Sequence, residues 1–330
     1  MNRISLSVVF LLMLFACGPD KSLLFISLPG GDPGIGFDDM RYSPMLNKVI
    51  VPGGKTGFLF LIDPSTRSVS TIGDFRTQAE PGKVSKVTSV DEGEGYLFVT
   101  DVILQKLYVV DPVAGKILES VNLAGDSDFV RYVALTGEVW VTEGDDDQVE
   151  VFRFSKNGRP MLQHAGFVSV PDGPEGLVID NPHNVAYSNV WTEDTVAIDI
   201  KARKIVRKWK STCKGPRGVA FDPDSNFLFV GCEEGKAVSM DTNQGAKVLD
   251  SVSSGKDVDI IAYDPQHRRV YLPGAHSGTM AQISVSPSGD LSIMRKIRTI
   301  KGAHCAVTDN LGNVYVCDPD HARILVLPFS

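Results

Sequence analysis

A phrase of about forty-five residues recurs along the chain, and it constrains the fold more tightly than any other feature. Its clearest copy is Gly215-Pro-Arg-Gly-Val-Ala-Phe-Asp-Pro-Asp-Ser-Asn-Phe-Leu-Phe-Val-Gly231: an apolar strand, a Pro/Asp/Asn turn, and an alternating return strand. Other copies begin at Gly173, Asp257 and Gly302, with weaker ones near Gly36, Lys83 and Phe129. A third strand ending in Asp follows each copy, as in Leu107-Tyr-Val-Val-Asp111. A fourth, introduced by Lys or Arg, comes next, as in Lys204-Ile-Val-Arg-Lys-Trp209. Four short alternating strands separated by turn residues make one propeller blade.

Aligned on the turn aspartates, the copies place Asp38, Lys86, Arg131, Glu175, Arg217, Asp259 and His304 at equivalent first-strand positions, 42 to 48 residues apart. The spacing predicts an all-β chain, a seven-bladed β-propeller of four-stranded antiparallel blades. Blade seven holds only three strands before Ser330, and Ser22–Leu28 supplies the fourth from the other end. Pairing the two ends closes the ring and removes both sheet edges.

Upstream of the repeats, Arg3 precedes an apolar run from Val8 to Ala16, followed by Cys17. The run is far short of the roughly 20 apolar residues of a membrane span, and the pattern is that of a secretory signal. Leu14-Phe15-Ala16-Cys17 looks like a bacterial lipobox, in which the cysteine becomes the acylated N-terminus. The expected organisation is a removed signal peptide over residues 1–16, a lipidated tether over 17–21 and the propeller over 22–330. That puts the protein in the cell envelope, lipid-anchored at the outer membrane and facing the periplasm or the exterior. An ordinary signal peptide with an incidental Cys17 is the competing reading.

The repeats resemble the YVTN family of β-propellers, including its YncE-like exported members, from about Leu23 to Phe329. Leu97-Phe-Val-Thr-Asp101, Val139-Trp-Val-Thr-Glu143 and Val314-Tyr-Val-Cys-Asp318 carry the likeness. The resemblance implies the fold and little about chemistry, because propellers of this group bind varied partners and some are enzymes.

In a propeller the first strand of each blade lines the central channel, so the seven aligned residues form a ring at its mouth. All seven are ionisable, and a ring that only packed would carry Gly, Ser or Ala. Two readings stay open. The charges pair locally, Lys86 with Asp101, Arg131 with Glu143 and His304 with Asp318, because unpaired burial costs several kcal/mol. Alternatively the ring recognises a ligand, with Lys86 and Arg131 clamping a carboxylate or phosphate. Asp38, Asp259 and His304 are consecutive around the closed ring, with His276, His321 and Asp318 on the same rim. Imidazoles with carboxylates suit Zn, and carboxylates alone suit Ca. A metal-dependent hydrolase or lactonase at the mouth is therefore the alternative to a non-catalytic binding module for a small ligand, peptide or protein.

The net charge of −7 argues against a nucleic-acid partner. No phosphate loop and no nucleophile elbow occurs. Asp145-Asp146-Asp147 lacks the alternating ligands of an EF-hand and is expected to be a solvated loop. Trp140 and Trp209 are expected in the core, and Trp191 in the blade-four rim loop. Beyond Cys17, the four remaining cysteines permit two disulfides within blades, Cys305–Cys317 and Cys213–Cys232, the first being favoured. A metal site of His304, Cys305 and Cys317 is the rival use of the blade-seven pair.

Overall fold

The computed structural model describes residues 23–328 except 33, 80 and 157. Cys17, the signal segment 1–16 and the tether 17–21 lie outside the described residues. The rest forms seven four-stranded antiparallel sheets, the blades of a propeller. Blade four shows the plan: Pro174–Asp180 lines the channel, Val185–Val190 and Asp194–Asp199 follow, and Lys204–Lys210 lies outermost.

Burial follows that order. In blade four the second strand is almost wholly buried, whereas the outermost alternates exposed and half-buried residues. The two middle strands pack on neighbouring blades through both faces, so they read as continuous apolar runs such as Leu59–Ile62 and Phe227–Cys232. Trp140 is fully buried as expected, Trp209 packs partly buried between blades four and five, and Trp191 is exposed.

The third-strand aspartates hold turns. Asp63 and Asp111 each accept two successive backbone N–H groups from the residues two and three further on, the geometry of an Asx turn. In blades one, four and five the residue before the second strand is Asn47, Asn184 or Asn226, each with φ between +50° and +61°. Asparagine tolerates that left-handed conformation better than other non-glycine residues.

Leu24–Ser27 pairs antiparallel with Arg323–Leu327, in register from Leu24↔Val326 to Ser27↔Arg323. The N-terminal strand thus completes blade seven, as the strand count requires. Ile26 and Leu28 are buried there, and the Arg323 guanidinium lies 4.0 Å from the centroid of the Phe25 ring.

Candidate functional site

Strand register decides which residue of each inner strand occupies the ring. In blade four the pair before the turn is Asp180↔Val185, and Glu175 stands five residues earlier. The same count from Ser43↔Lys48, Asp222↔Phe227 and Asp264↔Arg269 gives Asp38, Arg217 and Asp259. In blade seven, Ala306↔Val316 aligns with Leu177↔Ser188, and His304 falls at the ring.

Blades two and three depart from the sequence alignment. Val133↔Glu138 is the pair before the blade-three turn, so the ring residue is Asp128, and Arg131 lies three residues deeper in the channel. Blade three has no turn aspartate to anchor the count. Blade two turns through Glu94-Gly95 alone, both at positive φ, so Asp91 lies within the strand. Val90↔Val99 then corresponds to Val130↔Val141, which puts Thr88 at the ring and Lys86 just above it. The ring is Asp38, Thr88, Asp128, Glu175, Arg217, Asp259 and His304.

Close packing of the inner strands sets these side chains. A Cβ on Gly218 would stand 2.2 Å from the Asp259 carbonyl oxygen, and one on Gly176 3.0 Å from that of Arg217. Only glycine lets the strands come so near. Glu175 and Arg217 fall within register shifts of their strand pairs, between Pro174 and Leu177 and between Pro216 and Val219.

The expected local pairs do not form. Asp101 accepts from the Ser85 hydroxyl and the Lys86 backbone N–H. Glu143 accepts from the Gly125 N–H and the Gln148 amide. Asp318 holds His321 and Arg323. Arg131 instead reaches across to blade one, where both of its terminal nitrogens bond Asp39, while its Nε donates to the Leu177 carbonyl at 2.9 Å. Ser89 Oγ also donates to Asp39, at 2.7 Å. Arg131 therefore serves a buried, satisfied network tying blades one to four, and does not join Lys86 in an anion clamp. Arg217 bonds Glu175 and lies 3.6 Å from Glu233.

The ring carboxyls are left short of cations. Among the described residues, none of Asp38, Asp128 and Asp259 forms an ion pair with a basic side chain. Burial and the charge of Asp259 push the Asp38 carboxyl up to about 8, against the nearby His304 and Lys86. Burial raises Asp259 to about 6, with His304 and Arg217 opposing and Glu175 adding. Asp128 is raised well above the carboxylate range by burial, by the charges of Asp38 and Glu175, and by a hydrogen bond with Glu175. Carboxyls so placed hold their protons more tightly than free ones do.

His304 is committed elsewhere. Its Nδ1 lies 2.7 Å from the Gly302 carbonyl oxygen and its Nε2 3.2 Å from that of Phe37. Carbonyls only accept, so both ring nitrogens carry hydrogen and the imidazole is a cation. Burial works against that charge, but Cys317, the Gly302 carbonyl and Asp259 outweigh it and raise the group to about 11. His304 so held has no lone pair for a metal or a proton.

The disulfide in the structure is Cys213–Cys232, with Cα atoms 6.2 Å apart. The favoured pair, Cys305 and Cys317, is free and buried, although the two residues oppose one another as expected: the Cys317 N–H donates to the Cys305 carbonyl. Cys317 Sγ instead accepts the Cys305 N–H at 3.1 Å and lies 3.7 Å from His304 Nδ1. His304, Cys305 and Cys317 bring their ligand atoms within 4.8 Å of one another, the one such trio of metal-ligating groups among the described residues. The set of Asp38, Asp259, His304, His276, His321 and Asp318 does not converge, because Asp318 is occupied by His321 and Arg323 and His276 is exposed.

A cavity of about 890 Å³ occupies the channel on the far side of this ring. Asp39 and Arg131 line its inner end, Tyr42, Phe221 and Tyr263 its walls, and the turns at Asp180 and Asp222 its mouth. No pattern in the sequence marks that space.

No protein-family model matches the chain, and no curated protein matches it. Solved structures do. A chain of the mitotic checkpoint complex is similar at 13% identity and a TM-score of 0.75, covering 98% of this chain and 99% of its own length. Kuenenia stuttgartiensis hydrazine synthase is similar at 14% identity and 0.73, covering 90% and 96%. The β-propeller domain of Myceliophteria thermophila Cps50 (Swd1) is similar at 12% identity and 0.72, covering 88% and 96%. At such identities the likeness establishes the propeller and nothing finer.

Proposed function

We propose that this chain is a binding propeller, exported like the YncE-like YVTN proteins and lipid-anchored through Cys17, that captures its ligand at the ring. The observation that carries the reading is the imbalance at the channel: Asp38, Asp128 and Asp259 stand half-buried at the ring without an ion pair to a basic side chain, an arrangement that a ligand would complete. Propellers serve widely as interaction modules, and two of the similar structures belong to a protein complex or are a propeller domain. The hydrolase alternative draws no support, since the imbalance lacks a free imidazole: both nitrogens of His304 face carbonyl oxygens. An acidic ring also opposes nucleic acid as partner.

The test is thermal stabilisation by a panel of cations, anions, sugars and peptides, run on the native sequence and on Asp128→Asn, beside a turnover assay with lactones and esters. At least one ligand class is expected to raise the melting temperature of the native protein and not of the variant, with no turnover. Turnover abolished by Asp128→Asn would overturn the reading. Palmitate labelling that is lost in Cys17→Ser checks the anchor.

A further inference from the structure

We propose that His304, Cys305 and Cys317 form a site on blade seven for one thiophilic metal ion, zinc or cuprous copper. The site is separate from the ring carboxyls, and neither reading depends on the other.

Three observations carry it. The first is how closely the ligand atoms are gathered. Both sulfurs and a ring nitrogen of His304 lie within 4.8 Å of one another. Zinc–sulfur bonds of about 2.3 Å and zinc–nitrogen bonds of about 2.0 Å set sulfur and nitrogen on one ion roughly 3.6 to 3.8 Å apart. Cys317 Sγ stands 3.7 Å from His304 Nδ1. Two sulfurs on one ion stand roughly 3.8 to 4.0 Å apart, so Cys305 Sγ needs to move by no more than about 1 Å.

The second is the shell around those atoms. His304 Nε2 faces the Phe37 carbonyl at 3.2 Å, so it keeps its proton and leaves Nδ1 on the side of the sulfurs. Histidine ligands are commonly fixed in this way, the second ring N–H donating to a carbonyl. The Cys305 N–H donates to Cys317 Sγ at 3.1 Å, which favours the thiolate. In the metal-free protein Nδ1 carries hydrogen and is spent on the Gly302 carbonyl. The ion takes the place of that proton and of the thiol protons, which pass to solvent, and the Gly302 carbonyl gives up its donor.

The third is that the thiols are buried and unjoined. Cys305 and Cys317 are at most 1% exposed, whereas His304 is half-buried at the ring, so the imidazole is the side of the trio open to an entering ion. The chain's other cysteine pair is a disulfide, while these two neighbours remain thiols. Where disulfides persist, a metal ion is what keeps neighbouring thiols apart. Zinc would be neutralised by the two thiolates and keep one of its four positions for a small ligand. Cuprous copper favours sulfur and is content with three ligands.

Zn(II) and Cu(I) are titrated under nitrogen against a chromogenic chelator, without reductant so that Cys213–Cys232 stays closed. The proteins compared are the native one, Cys305→Ser/Cys317→Ser, His304→Ala and Asp128→Asn. One equivalent of at least one ion is expected to bind the native protein and Asp128→Asn, and none the cysteine double variant. His304→Ala is expected to weaken binding by at least the roughly tenfold that loss of an outer-shell partner costs. The ion bound at the lower free concentration is the site's own. Should the double variant not fold, X-ray absorption of the metal-loaded native protein decides. A first shell with two sulfurs supports the site, and one of oxygen and nitrogen alone overturns it. Absence of stoichiometric uptake of either ion by folded native protein overturns it too, as does uptake that the cysteine variant retains or Asp128→Asn abolishes. A Cys305–Cys317 disulfide in protein isolated from its own compartment, read by peptide mass spectrometry, overturns it likewise. Failure of the ring to bind any ligand leaves the site standing, because Asp128 is no part of it.

Discussion

Residue by residue, the ionisable character of the channel was legible, and the partners were not. Asp38, Glu175, Arg217, Asp259 and His304 stand at the ring as their spacing from the turn aspartates implies. Arg131 does not, and its true partner, Asp39, lies 92 positions away, a separation no local pattern reveals. The pair is almost wholly inaccessible to solvent, and Leu177, Val130 and Ser89 satisfy its remaining groups. Removing one member strands the other. Arg131→Met is expected to cost about 3 to 5 kcal/mol, and Arg131→Met with Asp39→Asn clearly less than the two single losses added. Urea denaturation of the four proteins measures the coupling; additive losses would show that the pair contributes nothing as a pair.

Among the elements, strands and turns were legible wherever apolar alternation met an aspartate or an asparagine. The errors fell where the turn changed. Blade two's tight turn and blade three's turn without aspartate each shifted the count by two or three residues, which exchanged Thr88 for Lys86 and Asp128 for Arg131. Disulfide choice failed for a different reason. Each cysteine pair joins the segment leading into a blade's first strand to its second strand, and the choice between them depends on side-chain direction, which spacing does not record. Cys317 Sγ turns to the Cys305 N–H and to His304, whereas Cys213 and Cys232 meet. The Cys213–Cys232 bond closes a loop of 19 residues, and the chain-entropy estimate for that length is about 3 kcal/mol. The double variant Cys213→Ser/Cys232→Ser is expected to lose that much against denaturant. Cys305→Ser is expected to leave the oxidised protein's disulfide content unchanged, as thiol counting under denaturing conditions would record.

For the whole molecule, ring closure makes seven blades one body. The N-terminal strand and the last strand share a sheet, so neither end leaves a bare edge. That closure also sets Asp38 within reach of the charges of Asp259 and His304 across the seam, and the cost belongs to the entire fold. Asp38 and Asp259, at about 8 and about 6, hold their protons more tightly folded than unfolded. Their stabilising contribution is fully present below about pH 4 and is lost as pH rises through 6 and 8. His304, held to about 11, acts with the same sign: its contribution is present below about 6.5 and fades toward 11. Partly exposed turn carboxylates such as Asp63 and Asp199 act oppositely, but their loss begins only below about pH 4 and solvent screens them. The unliganded propeller is therefore expected to melt highest near pH 5 and progressively lower toward pH 9, as calorimetry across that range would record. Asp38→Asn is expected to flatten the decline between pH 6 and 8, and a profile parallel to the native one would place its origin elsewhere.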